Sequence, residues 1–195
     1  KIFRDEEFRW YLGMIFVPVI LISLTLRPYY QNFAQLLREV FFTVTSTIST
    51  TSYEITDPSK WTTLPQIILL ILAFSGSMSG STTGALKIYR VAVYVKTFFR
   101  ELLLAVFPNR NIPIRFDGQI VPDKKLAAIH RYLISYALIF FGMILLVSFS
   151  APNFSSAFSA VVATLNNTGH GLDIFGTAAD YSVFSSFAKV VFAFG

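Results

Sequence analysis

Long uncharged stretches alternate with short polar segments along this chain. Residues 10–26, 61–86 and 132–172 contain no Asp, Glu, Lys or Arg. Each approaches or exceeds the roughly 20 residues that a helix needs to cross the hydrocarbon of a bilayer. The pattern therefore predicts membrane-spanning helices and an all-α fold.

The third stretch is about twice as long as one crossing requires. We predict a reversal at Ala151, Pro152 and Asn153, because Pro ends a helix, followed by a helix over residues 154–165 that is too short to span. Residues 32–49 have a similar pattern. Both segments are typical of re-entrant half-helices. Irregular backbone at membrane depth is tolerated only where protein buries it or water lines it, so we expect the loops after them to face a pore.

A polar tetrapeptide follows each half-helix, and the two tetrapeptides are related by an internal repeat. Residues 50–53 correspond to residues 167–170, which lie 117 positions later. At the same offset, Phe41, Val44, Thr47 and Ile48 fall on Phe158, Val161, Thr164 and Leu165. Two copies of one unit are therefore expected. We place the first unit at residues 1–98, a cytoplasmic linker at 99–125 and the second unit at 126–195.

Composition and charge fit a membrane protein. Hydrophobic residues make up 54% of the chain and charged residues only 14%, which is more apolar than the average soluble domain. The net charge is +5, and basic residues cluster near the amino terminus and between the two units. The positive-inside rule places these segments in the cytoplasm, so the loops open outward. Lys and Arg facing anionic lipid account for the charge without a nucleic acid partner.

The end of a half-helix inside a pore favours cations. Its carboxyl end carries a partial negative charge, and loop carbonyl and hydroxyl oxygens can replace the water around a cation. Gly169 also allows the positive φ that turns successive carbonyls inward. The alternative is that both tetrapeptides are ordinary turns at the membrane surface, but their recurrence favours the pore. The candidate filter residues, whose oxygens alone would hold the ion, are Thr50, Thr51, Ser52, Tyr53, Asn167, Thr168, Gly169 and His170.

A Gly- and Ser-rich run interrupts the second uncharged stretch. Residues 76–84 contain three Gly and five hydroxyl residues, and Gly alone costs a helix roughly 1 kcal/mol per residue relative to Ala. We predict a break there. The alternative is a continuous helix in which Gly76, Gly80 and Gly84, spaced by four, form one smooth packing face. Lys87 either donates to this run or extends to the cytoplasmic interface.

Several segments resemble the Trk, Ktr and plant HKT superfamily of potassium transporters, and the likeness covers nearly the whole chain. It rests on Ser49-Thr50-Thr51-Ser52-Tyr53 with Asp57 and Trp61, on residues 80–87 with Arg90, on residues 121–123, and on residues 157–161 leading to 165–169. The resemblance implies a polytopic membrane protein with four repeated units around a pseudo-fourfold pore, of which this chain is similar to the third and fourth.

The resemblance also implies a function, a partner and a gate. The function is potassium uptake across a bacterial inner membrane, as a channel or a symporter, by a homodimer. Potassium is then the substrate, and no other cofactor is expected. The implied partner is a cytoplasmic nucleotide-binding regulatory ring of the TrkA type. The implied gate lies beneath the filter and comprises Gly76, Gly80, Ser81, Thr82, Thr83, Gly84 and Lys87.

Ser52 departs from the family pattern, which has Gly at this position. A Cβ in left-handed backbone costs roughly 1–2 kcal/mol, so Ser52 either strains the loop or lets its carbonyl turn away. Plant relatives with Ser at the corresponding position of their first unit transport sodium, so a poorly selective or sodium-conducting pore is an alternative. The sequence is consistent with either a natural variant or an engineered substitution.

Other polar residues have two interpretations each. His170 is either a pH-sensitive group at the outer mouth or an inert surface imidazole. Glu54, Asp57 and Asp173 either enrich cations outside the pore or cap helices; Asp57, which precedes Pro58, is expected to cap. Aromatic residues predicted to anchor the chain at the membrane interfaces are Trp10, Trp61, Tyr29 and Tyr30.

Two other classes of function remain open. An intramembrane enzyme needs convergent acid, base, nucleophile or metal-ligand side chains at membrane depth. The three uncharged stretches offer no carboxylate, and the chain has no Cys, so we expect no enzyme. A non-conducting scaffold of re-entrant hairpins is the third possibility. Because the chain begins at Lys1 rather than Met and stops at Gly195, only about 15 residues into the last predicted helix, we expect it to be an excerpt from a longer protein.

Overall fold

The computed structural model describes residues 5–108, 110, 112–169 and 184–193. Within these residues the fold is helical, apart from one short hairpin. The helices are α1 (Glu6–Leu26), α2 (Phe33–Ile48), α3 (Thr63–Ser75), α4 (Ile88–Val106), α5 (Asp123–Ser148), α6 (Phe154–Leu165) and α7 (Ser186–Ala193). Single 3₁₀ turns occupy Arg27–Tyr29 and Pro58–Lys60, and strands β1 (Arg115–Phe116) and β2 (Gln119–Ile120) pair antiparallel.

Two helical segments are long and apolar enough to cross a membrane. These are Glu6–Tyr29, which is α1 with the turn after it, and Asp123–Ser148, which is α5. One face of α5 exposes large apolar side chains, including Ile134, Leu138, Phe141 and Leu145. Such a face suits lipid or neighbouring helices rather than water.

The two half-helices have the predicted positions. Helix α2 begins after Asn32, whose side chain accepts a hydrogen bond from the Ala34 amide at 3.0 Å. Helix α6 begins after Asn153, whose side chain accepts from the Ser156 amide at 2.7 Å. The reversal between α5 and α6 falls at residues 149–153, where the Pro152 signal predicted it.

Small residues let α6 pack closely inside the second half of the chain. Its buried positions include Ser156, Ala157, Ser159, Ala160 and Ala163. Apolar burial drives helix association only weakly in lipid, so close van der Waals packing between backbones supplies much of the stability there. The sequence of α6 therefore fits a helix held against α5 within the membrane.

The predicted break in the second uncharged stretch is present. Helix α3 ends at Ser75, helix α4 begins at Ile88, and Gly76 caps α3 with a φ of 64°. Because residues 76–87 are not helical, the three Gly do not form a helix packing face. Trp61, which was predicted as an interfacial anchor, is buried in a cluster with residues of α1, α2 and α3, and its role as an anchor stays a prediction.

The segment predicted as a cytoplasmic linker, residues 99–125, contains regular structure. Helix α4 continues to Val106, and the β1–β2 hairpin is packed against the helices. Ile114 and Val121, which flank the hairpin, are buried in a cluster with Val93, Leu126 and Ile129. The apolar flanks on both sides of a tight turn explain why this segment folds back instead of remaining extended in solvent.

Candidate functional site

The loop after α2 begins with a Schellman motif. The Thr51 amide donates to the Ser46 carbonyl at 3.0 Å, and the Thr50 amide donates to the Thr47 carbonyl at 3.1 Å. This pair of bonds closes a helix by placing the residue after its cap in left-handed backbone. The Ser46 hydroxyl then donates to the Tyr53 carbonyl at 2.6 Å and ties the loop back to the helix end.

The loop after α6 repeats this geometry. The Thr168 amide donates to the Ala163 carbonyl at 2.9 Å, and the Asn167 amide donates to the Thr164 carbonyl at 3.1 Å. These donors and acceptors match those of the first loop at the offset of the sequence repeat. The internal repeat therefore extends from sequence to backbone hydrogen bonding.

Backbone torsions agree between the two loops as well. Thr50 and Asn167 both have a φ of 53°, and Ser52 and Gly169 have φ values of 65° and 71°. Positive φ thus alternates with ordinary backbone along each loop. Ser52 adopts the torsion expected of Gly, so of the two possibilities left by the sequence, a strained loop and a carbonyl that turns away, the backbone favours strain.

The two loops touch each other at these equivalent positions. A Cβ built on Gly169 would lie 2.8 Å from the Ser52 Oγ and 3.2 Å from the Ser52 Cβ. The Ser52 side chain therefore occupies the space that a side chain at position 169 would need. This contact explains how the chain accommodates one Ser: the opposing residue is Gly.

A hydrogen-bonded Asn supports the second loop. Asn166 is fully buried at the end of α6, its amide nitrogen donates to the Val162 carbonyl at 3.0 Å, and its Oδ1 accepts from the Tyr136 hydroxyl of α5 at 2.5 Å. Helix α5 therefore helps to fix the position of α6 at the point where the loop begins.

Residues 76–84 lie against the ends of both half-helices. The Ser77 hydroxyl donates to the Ile48 carbonyl at the end of α2, at 3.0 Å. A Cβ on Gly84 would lie only 2.6 Å from the Asn166 carbonyl oxygen at the end of α6. The run that interrupts the α3–α4 helix therefore sits directly beside the base of both loops.

Lys87 is directed into this run rather than towards the interface. Its ammonium donates to the Ser81 carbonyl at 2.6 Å, the Thr83 carbonyl at 2.5 Å and the Thr83 hydroxyl at 3.0 Å. The first of the two alternatives for Lys87 is therefore the one observed, and the lysine holds the carbonyls that a non-helical segment leaves without helical partners.

The chain is similar to known proteins over nearly its whole length. Residues 8–195 match the family described as TrkH, cation transport protein. The chain belongs to the TrkH family. It is a family of transport proteins, so the reading as an intramembrane enzyme is excluded.

Individual TrkH proteins match most of this chain. Trk system potassium uptake protein TrkH of Escherichia coli K12 is 34% identical over 173 residues, which are 88% of this chain and 36% of that protein. TrkH of Halomonas elongata is 32% identical over 191 residues, 96% of this chain and 39% of that protein. The crystal structure of the potassium transporter TrkH from Vibrio parahaemolyticus has a TM-score of 0.90 at 28% identity, over 98% of this chain and 41% of that one. This chain thus spans about two fifths of the length of its TrkH relatives.

One buried carboxylate of this TrkH-family chain escaped the sequence analysis. Glu39 is buried in α2, where its carboxylate accepts from the Tyr30 hydroxyl at 2.7 Å and from the Gln35 side chain at 2.8 Å. Tyr30 was predicted as an interfacial anchor; its hydroxyl donates to Glu39, and the anchor role stays a prediction. The spacing of Gln35 and Glu39, four residues apart on one helix, was the available signal.

The acidic residues after the first loop differ from one another. Asp57 caps the turn Pro58–Lys60 as predicted, and its Oδ1 accepts from the Ser59 amide at 3.0 Å and the Ser59 hydroxyl at 2.6 Å. Burial, assisted by the nearby Asp57 carboxylate, raises the pKa of Glu54 to about 7. His170 and Asp173 lie outside the described residues, so the predictions for them stay predictions.

Glu54→Gln is expected to flatten the pH dependence of stability. The pKa of Glu54 is about 7 in the folded chain against a reference value of 4.5, so between these pH values the folded state binds more protons than the unfolded state. The free energy of unfolding contributed by Glu54 then falls as pH rises through this window. Melting temperatures at pH 5 and pH 8 measure the effect, with Glu101→Gln, at an exposed site, as the control. If the melting temperature of the Glu54→Gln variant fell between pH 5 and pH 8 as much as that of the unmodified protein, the prediction would be wrong.

Ser52→Gly is expected to stabilise the protein. Left-handed backbone costs Ser roughly 1–2 kcal/mol, and the added chain entropy of Gly offsets about 0.5–1 kcal/mol of the relief. The net gain is centred on about 0.75 kcal/mol, which is measurable as a higher melting temperature. Ser52→Ala keeps the Cβ and should give no such gain. Equal stabilisation by Ala and Gly would show that backbone strain is not the cause.

Proposed function

We propose that this chain forms two quarters of a potassium pore in a Trk-type uptake system. The observation that carries this proposal is the pair of loops, alike in torsions and hydrogen bonds, that meet at Ser52 and Gly169 where two half-helices end. The names of the TrkH relatives as potassium uptake proteins support the same function. Two units in a chain of about two fifths of their length fit a complete protein with four units around a pseudo-fourfold axis.

The chemistry of the loops suits a monovalent cation. The carboxyl ends of α2 and α6 supply partial negative charge, and the loops supply carbonyl and hydroxyl oxygens. Protein sites for divalent calcium normally include carboxylates, which neither tetrapeptide contains. Potassium is thus held by filter oxygens alone, from residues 50–53 and 167–170.

Residues 76–84 and Lys87 form the gate in this proposal. The position of these residues supports this assignment: Ser77 is hydrogen-bonded to the end of α2, and Gly84 abuts the end of α6. A segment beside the base of both loops, built from Gly and Ser, can open or obstruct the path without supplying the ion-selective oxygens. Lys87 stabilises the obstructing conformation by holding the carbonyls of Ser81 and Thr83.

The assembled transporter is a homodimer in the bacterial inner membrane, with a TrkA-type nucleotide-binding ring on its cytoplasmic side. Exposed Lys124, Lys125 and Arg131 at the start of α5 support the cytoplasmic placement of that end. A potassium-selective pore is favoured over the sodium-conducting alternative, because the φ of Ser52 is close to that of Gly169 and the backbone of the first loop keeps the geometry of the second.

Ion flux through the complete protein in liposomes tests this function. We expect rubidium and potassium uptake that exceeds sodium uptake. Equal sodium and potassium flux would favour the poorly selective alternative, and flux that requires an imposed proton gradient would identify a symporter. An absence of cation flux would contradict the proposal and leave the non-conducting scaffold.

A further inference from the structure

A carboxylate from the start of α1 reaches the tip of residues 76–84, by which we mean Ser79 and Gly80. The Glu7 Oε1 accepts hydrogen bonds from the Ser79 amide at 2.6 Å and from the Ser79 hydroxyl at 2.8 Å. The two residues lie 72 positions apart in sequence. Because the acceptor is a carboxylate, both bonds are expected to be stronger than those between neutral groups.

The neighbouring carboxylate holds the cytoplasmic hairpin. The Glu6 Oε2 accepts from the Asp117 amide in the hairpin turn at 2.8 Å. Glu6 also forms an ion pair with Lys96 of α4, whose ammonium donates to the Arg115 carbonyl at 2.7 Å. Successive residues on one helical turn therefore bind the hairpin on one side and the tip of residues 76–84 on the other.

This helical turn is well fixed. Asp5 caps α1, and its Oδ1 accepts from the Glu7 amide at 2.8 Å and from the Phe8 amide at 3.2 Å. A capped first turn resists fraying. Because Glu6 and Glu7 are adjacent on this turn, a displacement of the hairpin that pulls on Glu6 is expected to act on Glu7 as well.

The contacts of residues 76–84 leave their tip dependent on Glu7. Within the described part of the chain, side-chain hydrogen bonds join this run to α2 through Ser77 and to α1 through Ser79. Lys87 binds the Ser81 carbonyl and the carbonyl and hydroxyl of Thr83, all of which follow Ser79 in the chain. Next to Glu7 lies a cavity of about 340 Å³, lined also by Asp5, Phe116, Asp117 and Lys125, which gives the carboxylate room to withdraw.

We propose that Glu7 is a positioning residue of the gate. Its carboxylate holds the tip of residues 76–84 in the obstructing conformation beneath the filter, and Glu6 couples this hold to the position of the cytoplasmic hairpin. The proposal rests on the proposed function of these residues as the gate. It adds that Glu7 holds the gate closed and that a movement of the cytoplasmic hairpin, acting through Glu6, releases the gate.

Flux through the complete protein in liposomes tests whether Glu7 holds the gate in the obstructing conformation. Glu7→Ala should raise potassium flux by about tenfold, the scale expected from losing hydrogen bonds to a charged acceptor, with an unchanged potassium-to-sodium ratio. Glu7→Gln keeps an acceptor oxygen and should restore most of the hold. Ser79→Ala should raise flux less than Glu7→Ala and add nothing in the Glu7→Ala background, because the two residues form one interaction. Glu101→Ala removes an exposed carboxylate of α4 and is the control.

A thiol reporter tests movement of the tip separately from flux. The chain has no Cys, and a Cβ at Gly80 meets no atom within 4 Å, so Gly80→Cys marks the tip with little disturbance. Its labelling rate should rise severalfold when Glu7→Ala is added, and also when Glu6→Ala is added. A rise with Glu7→Ala alone would overturn the coupling to the hairpin.

The outcomes distinguish a failure of the role proposed for Glu7 from a failure of the proposed pore function. Flux and labelling in Glu7→Ala that match Glu101→Ala would overturn the proposal, whereas no flux in the unmodified protein would contradict the proposed function. If Glu7→Ala fails to fold, Ser79→Ala in the Gly80→Cys background carries the same test. Unchanged labelling in that variant would equally overturn the hold.

Discussion

Gly169→Ser is expected to reduce the preference for potassium over sodium by about tenfold or more. Its Cβ would lie 2.8 Å from the Ser52 Oγ, and its φ is 71°, so the variant carries both a steric conflict and left-handed strain of roughly 1–2 kcal/mol. A difference of about 1.4 kcal/mol between the two ions is tenfold in their ratio. The potassium-to-sodium permeability ratio of the complete protein in liposomes measures the effect.

The double variant Ser52→Gly with Gly169→Ser separates the two causes. Exchanging the residues removes the contact between the side chains but leaves a non-Gly residue at positive φ in one loop. We expect the exchange to recover most of the potassium preference, because the unmodified chain already tolerates one Ser in this geometry. An unchanged permeability ratio in Gly169→Ser alone would show that Gly169 does not belong to the filter.

Gly84→Ala is expected to lower stability, flux and potassium preference together. Its Cβ would lie 2.6 Å from the Asn166 carbonyl oxygen, 2.9 Å from the Asn166 carbonyl carbon and 3.2 Å from the Asn167 Cβ. Since two of these atoms are backbone, relief requires the run or the base of the second loop to move, at a cost of about 1–3 kcal/mol. Melting temperature and the permeability ratio report the two consequences.

Gly80→Ala is the matched control for this substitution. It makes the same change in the same run, where the added Cβ meets no atom within 4 Å. We expect Gly80→Ala to change at most the fraction of time for which the gate is open and to leave the ion preference unchanged, because residues 76–84 are proposed to gate the pore without selecting ions. Equal permeability ratios in the Gly84→Ala and Gly80→Ala variants would mean that residue 84 does not press on the filter.

Local signals account for the parts of the fold that the sequence predicts. The half-helices, the reversal at Pro152 and the break after Ser75 are each marked by nearby residues: Asn caps, a Pro, or a concentration of Gly. The hairpin was missed although Asp117-Gly118 between apolar flanks is a recognised hairpin signal. The basic and Pro-rich composition on either side of it is equally typical of an exposed linker.

The contacts within the candidate site could not be predicted in the same way. Ser52 with Gly169, Gly84 with Asn166, and Glu7 with Ser79 join residues that are far apart in sequence. Each depends on how separate helices are placed relative to one another, and no local pattern of apolar and polar residues encodes that placement. The resemblance implies a role for the two loops but does not indicate which side chains meet.

The shared space at positions 52 and 169 also constrains how these loops can evolve. One side chain fits between them, and two do not. A lineage that moves the Ser from the first loop to the second cannot pass through a sequence with Ser at both positions without disrupting the contact. An exchange of the Ser between the two loops by single mutations therefore avoids this conflict only through a form with Gly at both positions.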